Sequence, residues 1–238
     1  MSQPQFKPMP LQKRAFDLTL LLLTAPVTVP LFVGAAVILW IRTGSPIFYS
    51  TFRQGQDSKP FRLWKFRTLP DSSKPSEPQV STAYEAGHLD GFRQWLRRSR
   101  LDELPQLWNI LRGDMTWVGP RPPDLRYTTK YPDLYDRVLL SRPGLTGLAT
   151  LVMFQKETAI LARAASSVLR EKTYERHLIP RKARLDLIYQ RRQSDPWIVV
   201  FDIMILTWTV RDLMTSIWPA KRSFSAMTNR PVKSLRAS

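Results

Sequence analysis

Leu18 to Ile41, LTLLLLTAPVTVPLFVGAAVILWI, runs for 24 residues without a charge. As a straight helix it is roughly 36 Å long, enough to cross a hydrocarbon core of about 30 Å. No small-x-small cleavage site follows a short apolar run, so a cleaved signal peptide fits poorly. Two features argue against a plain span. Pro26 and Pro30 lie inside the run, where a missing N–H and a ring clash break or kink a helix. Both flanks are also basic, with Lys7, Lys13 and Arg14 before and Arg42, Arg53, Arg62, Lys65 and Arg67 after. A spanning helix normally carries its excess of Lys and Arg on one side. Matching flanks suit a re-entrant hairpin over residues 13–43 that enters and leaves the same leaflet. The alternative is an ordinary kinked transmembrane helix.

The net charge of +17, from 36 basic and 19 acidic residues, points to anionic partners: acidic lipid, phosphorylated substrate or nucleic acid. There is no cysteine, which excludes disulfides, thiolate metal sites and cysteine nucleophiles. His88 and His177 are far apart and lack a metal-binding spacing. Any metal is therefore held by oxygen, which favours magnesium. The length allows one sizeable domain with attachments. Four parts are expected: a flexible N-terminus over 1–12, the hairpin over 13–43, a catalytic domain over 44–218, and a basic disordered tail over 219–238.

The densest chemistry lies between Arg97 and Pro122, RRSRLDELPQLWNILRGDMTWVGPRP. Pro105 is tolerated only in a first helical turn, and Gly113 suits a helix end. A helix from near Asp102 to about Arg112 follows. Its buried face is expected at Leu104, Leu107, Trp108 and Leu111, from their i, i+3, i+4, i+7 spacing. That puts Asp102 and Glu103 at a helix N-terminus, where negative charge is favoured. An ionised Asp with arginines nearby can attack phosphorus or hold a divalent cation, and arginine forks suit phosphate oxygens. The bland alternative makes Asp102 a cap, Glu103 a first-turn acid and the arginines a solvated face.

Elsewhere the pattern is mainly α with a few short strands. Ile47 to Ser50 reads as a strand, Arg53 to Asp57 as a turn, and Phe61 to Thr68 as a strand or an interfacial segment. Residues 70–80 form a polar loop. Leu89 to Ser99 is helical, with Leu89, Phe92 and Leu96 inward. Tyr127 to Leu140 is helical with an interruption at Pro132. Glu157 to Arg192 is helical with a break near Pro180 and a buried stripe of Tyr174, Leu178, Leu185 and Ile188. Pro196 to Trp218 is apolar but carries Asp202, Arg211 and Asp212, which suits an amphipathic helix lying in a membrane interface rather than a span.

Taken in order, Leu101 to Leu107, Gly113 to Met115, Val118 to Pro122, the Lys65 to Thr68 block and Arg142 to Gly147 closely resemble the bacterial sugar transferases, the monotopic polyprenyl-phosphate phosphoglycosyl transferases. The resemblance covers Lys13 to Gly147 well and the remainder loosely. Family members continue past this point with an Ala-Gln-Val stretch and a Gly-Arg, where this chain reads Ala149 to Met153.

The resemblance implies a re-entrant membrane helix-break-helix hairpin, a small α/β cytosolic catalytic domain and interfacial amphipathic helices. The family breaks its hairpin at Ser-Pro, and the corresponding residues here are Thr24, Ala25 and Pro26. The implied reaction moves a sugar-1-phosphate from a UDP-sugar to polyprenyl (undecaprenyl) phosphate, with magnesium, and releases UMP. In that reading Asp102 is the nucleophile, and Glu103 ligates or positions the metal with Asp102 or takes a proton. Lys65, Arg67, Arg97 and Arg121 bind phosphate. Membrane lipid, a homodimer and downstream glycosyltransferases are the further implied partners. The implied place is the cytoplasmic face of a bacterial inner membrane, at the first membrane step of glycan assembly. With one apolar anchor, a minimal member is expected. Two rival readings are a catalytically silent membrane scaffold and a nucleic-acid binder. Against the second, the basic residues are spread along the whole chain and no recognised binding motif accompanies them.

Overall fold

In the computed structural model, the described residues are 9–69, 90–163 and 166–217. The readings for residues 1–8, the 70–80 loop and the 219–238 tail lie outside them. The chain is mainly helical with four short strands among the described residues.

Helix α1 spans Leu11–Thr43 and continues through both Pro26 and Pro30. Nothing interrupts its assignment at Thr24, Ala25 or Pro26. The Thr24 hydroxyl does not take up a carbonyl freed by Pro26. It donates to Leu20 O at 2.8 Å and Leu21 O at 3.2 Å, and Thr28 donates to Thr24 O at 3.1 Å. Such back-bonding bends helices modestly without ending them. Among the described residues α1 is the helix long and apolar enough to cross a membrane.

The two ends of α1 are fastened to one folded unit. Near its start, Arg14 donates to the carbonyls of Ile110 and Leu111 at 2.7 and 2.8 Å. The Asp17 carboxylate accepts from the Thr116 hydroxyl at 2.8 Å and the Trp117 N–H at 3.2 Å. Near its end, Ala35 and Leu39 are buried against Phe66 and Leu96, with the Phe32 ring tilted against that of Phe66, centroids 5.1 Å apart. Between them Leu22, Leu23 and Val27 are exposed.

Strands β1 (Phe48–Gln54) and β2 (Pro60–Phe66) form an antiparallel hairpin, with Phe48 opposite Phe66. β1 runs on through Arg53 and Gln54, which the sequence reading placed in a turn. The turn comes at Gln56–Ser58. The period of two in β2 buries Phe61 and Leu63 together, and Phe66, out of that phase, is buried in a second cluster with Ala35 and Leu39. Helix α2 (Gly91–Arg98) starts at Asp90, whose carboxylate caps the N–H groups of Phe92 and Arg93. Helix α3 (Gln106–Arg112) ends at Gly113, which takes the left-handed φ of 88° that a glycine tolerates.

Strand β3 (Thr116–Val118) pairs in parallel with β4 (Gly144–Thr146). The two approach so closely that a Cβ on Gly144 or Gly147 would collide with the Gly119 backbone. Helices α4 (Leu125–Lys130) and α5 (Pro132–Val138) flank the expected interruption, with Pro132 opening the second. Helix α6 (Leu148–Ala162) is followed by α7 (Ser167–Thr173), a π-turn at Tyr174–Leu178, and α8 (Ile179–Arg192) with Pro180 in its first turn. The buried residues of α8 are Ile179, Ala183, Asp186 and Tyr189; Ile188, expected inside, is exposed. Helix α9 (Ile198–Ile217) buries Ile198, Asp202 and Ile205 and exposes Val200, Met204 and Trp208, with Trp197 exposed just before it.

A buried polar cluster joins these layers. The ammonium of Lys13 is fully buried and ion-paired with Asp202, also fully buried. It donates as well to Val118 O and the Tyr189 hydroxyl, each at 3.0 Å. Tyr189 in turn lies 2.7 Å from Asp202 and 2.8 Å from Val118 O. Asp202 is therefore not a polar interruption of an interfacial face; it is the inward counter-ion of the first helix.

Removing one member strands a buried charge, so Lys13→Met is expected to lose about 3–5 kcal/mol of stability. Lys13→Met with Asp202→Leu should recover most of it. Denaturant unfolding in detergent checks this, and equal losses for the single and double variants would refute the pairing.

Candidate active site

Asp102 and Glu103 do not open α3. They sit in a separate 3-10 turn, Leu101–Glu103, that precedes it. Leu104 N–H bonds Leu101 O at 3.2 Å and Leu107 N–H bonds Leu104 O at 3.0 Å, so three-residue hydrogen bonds lead into α3 around Pro105. Just before the turn, Arg100 takes a left-handed backbone with φ 55°. For a residue with a Cβ that geometry costs on the order of 1–2 kcal/mol. It turns the chain sharply as it leaves α2 and brings Asp102 and Glu103 back toward β2.

The inward face of α3 also differs from its apolar spacing. Gln106, Asn109 and Ile110 are buried, Leu104 and Leu107 half-buried, and Trp108 and Leu111 exposed. Asn109 accounts for the difference. Its amide donates to Arg62 O at 2.8 Å and Asp114 at 3.2 Å and accepts from Trp64 N–H at 3.4 Å, which ties α3 to the edge of β2. Buried polar contacts turned the helix about its axis relative to its leucines.

Three segments meet at Glu103. Its Oε1 accepts from Lys65 of β2 at 2.8 Å and from Arg121 at 2.6 Å. Arg121 follows Gly119-Pro120, whose backbone is locked against β4: Gly119 N–H donates to Thr146 O at 2.9 Å and Gly144 N–H to Pro120 O at 2.8 Å. Burial alone would raise the Glu103 pKa, but Arg121 and Lys65 outweigh it and hold the carboxyl well below its usual range. Glu103 in turn holds Arg121 charged, above its ordinary value.

Asp102 differs from its neighbour. No hydrogen bond holds its carboxylate among the described residues. Burial and then the adjacent Glu103 charge raise its pKa to about 6, against the lowering influence of Lys65, Arg97 and Arg121. The two neighbouring acids thus divide, with one fixed as an anion and the other poised near neutrality.

Of the expected phosphate-binding residues, Lys65, Arg97 and Arg121 gather around the two acids. Arg67 lies just beyond β2, where its backbone N–H donates to Ile47 O at 2.8 Å. Two residues passed over in the sequence reading join the site. Arg100 faces Glu103 and Asp102, and burial lowers its pKa. Arg53, on β1, is ion-paired to Asp124 at 3.1 Å and acts electrostatically on Arg121. The signal for Arg100 was its position two residues before Asp102. Arg53 had none, because a strand pairing brings it in.

No group of three or more acids or histidines is gathered among the described residues. Magnesium needs only one or two carboxylates when substrate phosphates and waters complete its shell. The adjacent Asp102 and Glu103 fit that donor set, with Asp102 the less committed of the two.

A helical unit fastened to both ends of a long apolar helix thus carries a split carboxylate pair ringed by cations. The family model of the bacterial sugar transferases matches residues 9–216, and the chain belongs to that family. It is 32% identical over 204 residues to the uncharacterized sugar transferase EpsL of Bacillus subtilis (strain 168), covering 86% of this chain and 88% of that protein. It is 30% identical over 203 residues to the UDP-glucose:undecaprenyl-phosphate glucose-1-phosphate transferase of Escherichia coli (strain K12), covering 84% of this chain and 39% of that protein. A protein of the same name from Caulobacter vibrioides is 35% identical over 144 residues, 58% of this chain and 53% of its own length. The chain thus spans less than two thirds of both glucose-1-phosphate transferases.

The raised pKa of Asp102 carries a stability consequence with a definite sign. Its favourable contribution to the folded state is present below the unfolded value of about 4 and is lost as pH rises through about 6. Asp102→Asn does not titrate, so at pH 8 it should be more stable than wild type by on the order of 2 kcal/mol. The advantage should shrink toward pH 4. Unfolding midpoints compared at the two pH values test this, and a pH-independent difference would contradict the burial of an ionisable Asp102.

Proposed function

We propose that the chain transfers a sugar-1-phosphate from a UDP-sugar to polyprenyl phosphate, with Asp102 as nucleophile. The observation that carries this is the split acid pair: Glu103 clamped by Lys65 and Arg121, beside an Asp102 with no hydrogen bond among the described residues and a pKa of about 6. Family membership and relatives whose names state undecaprenyl-phosphate glucose-1-phosphate transfer support the same reading.

The carboxylate oxygen of Asp102 attacks the sugar-bearing phosphorus. The bond to the bridging oxygen breaks, and UMP leaves with the electron pair. The sugar-phosphoryl-aspartate that forms is then attacked at the same phosphorus by an oxygen of polyprenyl phosphate. Asp102 leaves as a carboxylate, and the lipid carries the phosphosugar. This is covalent catalysis by a carboxylate. An elevated pKa makes Asp102 a better nucleophile than an ordinary aspartate while leaving it ionised at neutral pH.

Attack by an anion on an anion needs compensating positive charge. Lys65, Arg97, Arg100 and Arg121 supply it. A magnesium ion held by Asp102, Glu103 and the donor's phosphates would add charge neutralisation at the phosphoryl oxygens. Glu103 is assigned a positional role: its depressed pKa makes it a weak base, and its two ion pairs orient Lys65 and Arg121.

The membrane attachment is read as re-entrant. Both ends of α1 pack on one unit while its middle is apolar and exposed, so a crossing would have to carry that unit through the bilayer with one end. The outward Trp197, Val200, Met204 and Trp208 support an interfacial α9. These features would hold Asp102 near headgroup depth at the cytoplasmic face of a bacterial inner membrane, where the lipid phosphate lies. The reaction would begin glycan assembly and hand its product to downstream glycosyltransferases, with a homodimer as the expected assembly.

UMP release should be seen from at least one of a panel of UDP-sugars for wild type with magnesium and polyprenyl phosphate, and be lost in Asp102→Asn. Wild-type rate should fall as pH drops through about 6, where Asp102 becomes protonated. Arg121→Ala should cut turnover by about a hundredfold or more. Equal release by wild type and Asp102→Asn would remove Asp102 as nucleophile.

Because the chain has no cysteine, single cysteines at the exposed positions Gln12 and Arg42 can be labelled cleanly. Both should react with an impermeant maleimide from the cytoplasmic side only. Reaction from opposite sides would establish a spanning helix instead.

A further inference from the structure

Helix α6 passes the acid pair in the stretch where the sequence leaves the family pattern. Phe154 and Glu157 lie one turn apart on it. The guanidinium of Arg100, two residues before Asp102, stacks 4.3 Å from the centre of the Phe154 ring. The Glu157 carboxylate accepts from Lys182 of α8 at 3.0 Å. Lys182 also lies 3.4 Å from the Tyr174 hydroxyl and over the face of that ring at 5.2 Å. Glu157, Lys182 and Tyr174 are all half-buried, packed yet open on one side.

The charge of Glu157 acts on Arg100 and Arg121, the same two guanidiniums that face Glu103. Two carboxylate poles, Glu103 and Glu157, therefore act on these arginines. Phosphate cannot sit comfortably against Glu157, because like charges repel. The anionic part of a donor belongs on the side of Lys65, Arg97 and Arg121. What reaches the other pole must donate hydrogen bonds to a carboxylate and accept one from an ammonium, with a phenol able to do either. Neighbouring hydroxyls of a sugar ring have that chemistry.

We propose that Glu157, Lys182 and Tyr174 form the hydroxyl-recognising end of the donor pocket and so determine which nucleotide sugar is accepted. This rests on the transferase reading above. The hydroxyls belong either to the transferred pyranose or to the ribose of the nucleotide, and binding measurements separate the two.

Calorimetric titration of the full chain in detergent is used, comparing wild type, Glu157→Gln and Glu157→Asp. The probes are UDP-glucose, its C4 epimer UDP-galactose, and UDP-glucose with a 2′-deoxyribose. In Glu157→Gln, the ratio of Kd values within one pair should shift by about tenfold or more from the wild-type ratio, because a polar site discriminates through hydroxyls it was built to bond. Glu157→Asp, which keeps the acceptor, should restore most of that ratio. A shift between the two epimers assigns the site to the pyranose, and a shift between the ribose forms assigns it to the nucleotide. Preserved ratios in a protein that still binds all three probes would overturn the proposal and leave an ion pair between α6 and α8. If Glu157→Gln fails to fold, Tyr174→Phe is read by the same ratios. Wild type that binds none of the probes would refute the UDP-sugar reading itself, a separate outcome from preserved ratios.

Discussion

A buried ammonium is the constraint on which the rest of this architecture depends. Lys13 has no exposure, and a charge taken out of water is tolerated only when it is paired and its hydrogen bonds are filled. Asp202, Tyr189 and Val118 O fill them, and they come from α9, α8 and β3. One side chain at the base of the apolar helix thereby joins three distant parts of the chain. Val118 is also the last residue of the strand before Gly119-Pro120-Arg121. The element that meets lipid and the turn that carries the site's best-held guanidinium are thus connected through a few hydrogen bonds.

The same logic operates at the site. Glu103 is nearly enclosed and would be costly as an anion without Lys65 and Arg121. With them it is an anchor that fixes a strand residue and a turn residue relative to the 3-10 turn. Asp102 lies one position earlier and has no such ion pair among the described residues, so burial and its neighbour's charge raise its pKa instead. Two adjacent carboxylates acquire different chemistry because only one of them is paired. The interlocked glycines at 119, 144 and 147 supply the remaining stiffness, since their missing Cβ atoms allow two backbone strands to touch.

Several departures from the sequence pattern share one physical cause. The i, i+3, i+4, i+7 apolar spacing puts Trp108 and Leu111 inside, yet Asn109 and Gln106 are the buried residues. Periodicity registers apolar faces and cannot register an Asn whose amide bridges two strand-edge groups. Asp202 similarly read as an interruption of an interfacial helix, because its partner lies 189 positions away along the chain. Of the stripe expected to be buried, Leu178 is buried and Tyr174 and Leu185 are half-buried, whereas Ile188 is exposed and Tyr189 beside it is buried. The π-turn before α8 shifts the face by an extra residue, a change invisible in a fixed helical period.

From the residues alone came the long apolar segment with basic flanks, the helical character with few strands, the β2 alternation, the interruption at Pro132, the helix stop at Gly113 and the family pattern around Asp102. Each depends on local chemistry: charge-free length, period, a missing N–H or a missing Cβ. Tertiary structure alone decided the rest. It set Lys65 and Arg121 on Glu103, brought Arg53 and Arg100 into the site, gave Lys13 its counter-ion, and set α6 opposite the acid pair. Those arrangements are pairings between charges far apart in sequence, and a buried charge is tolerated only beside the partner that the fold delivers to it.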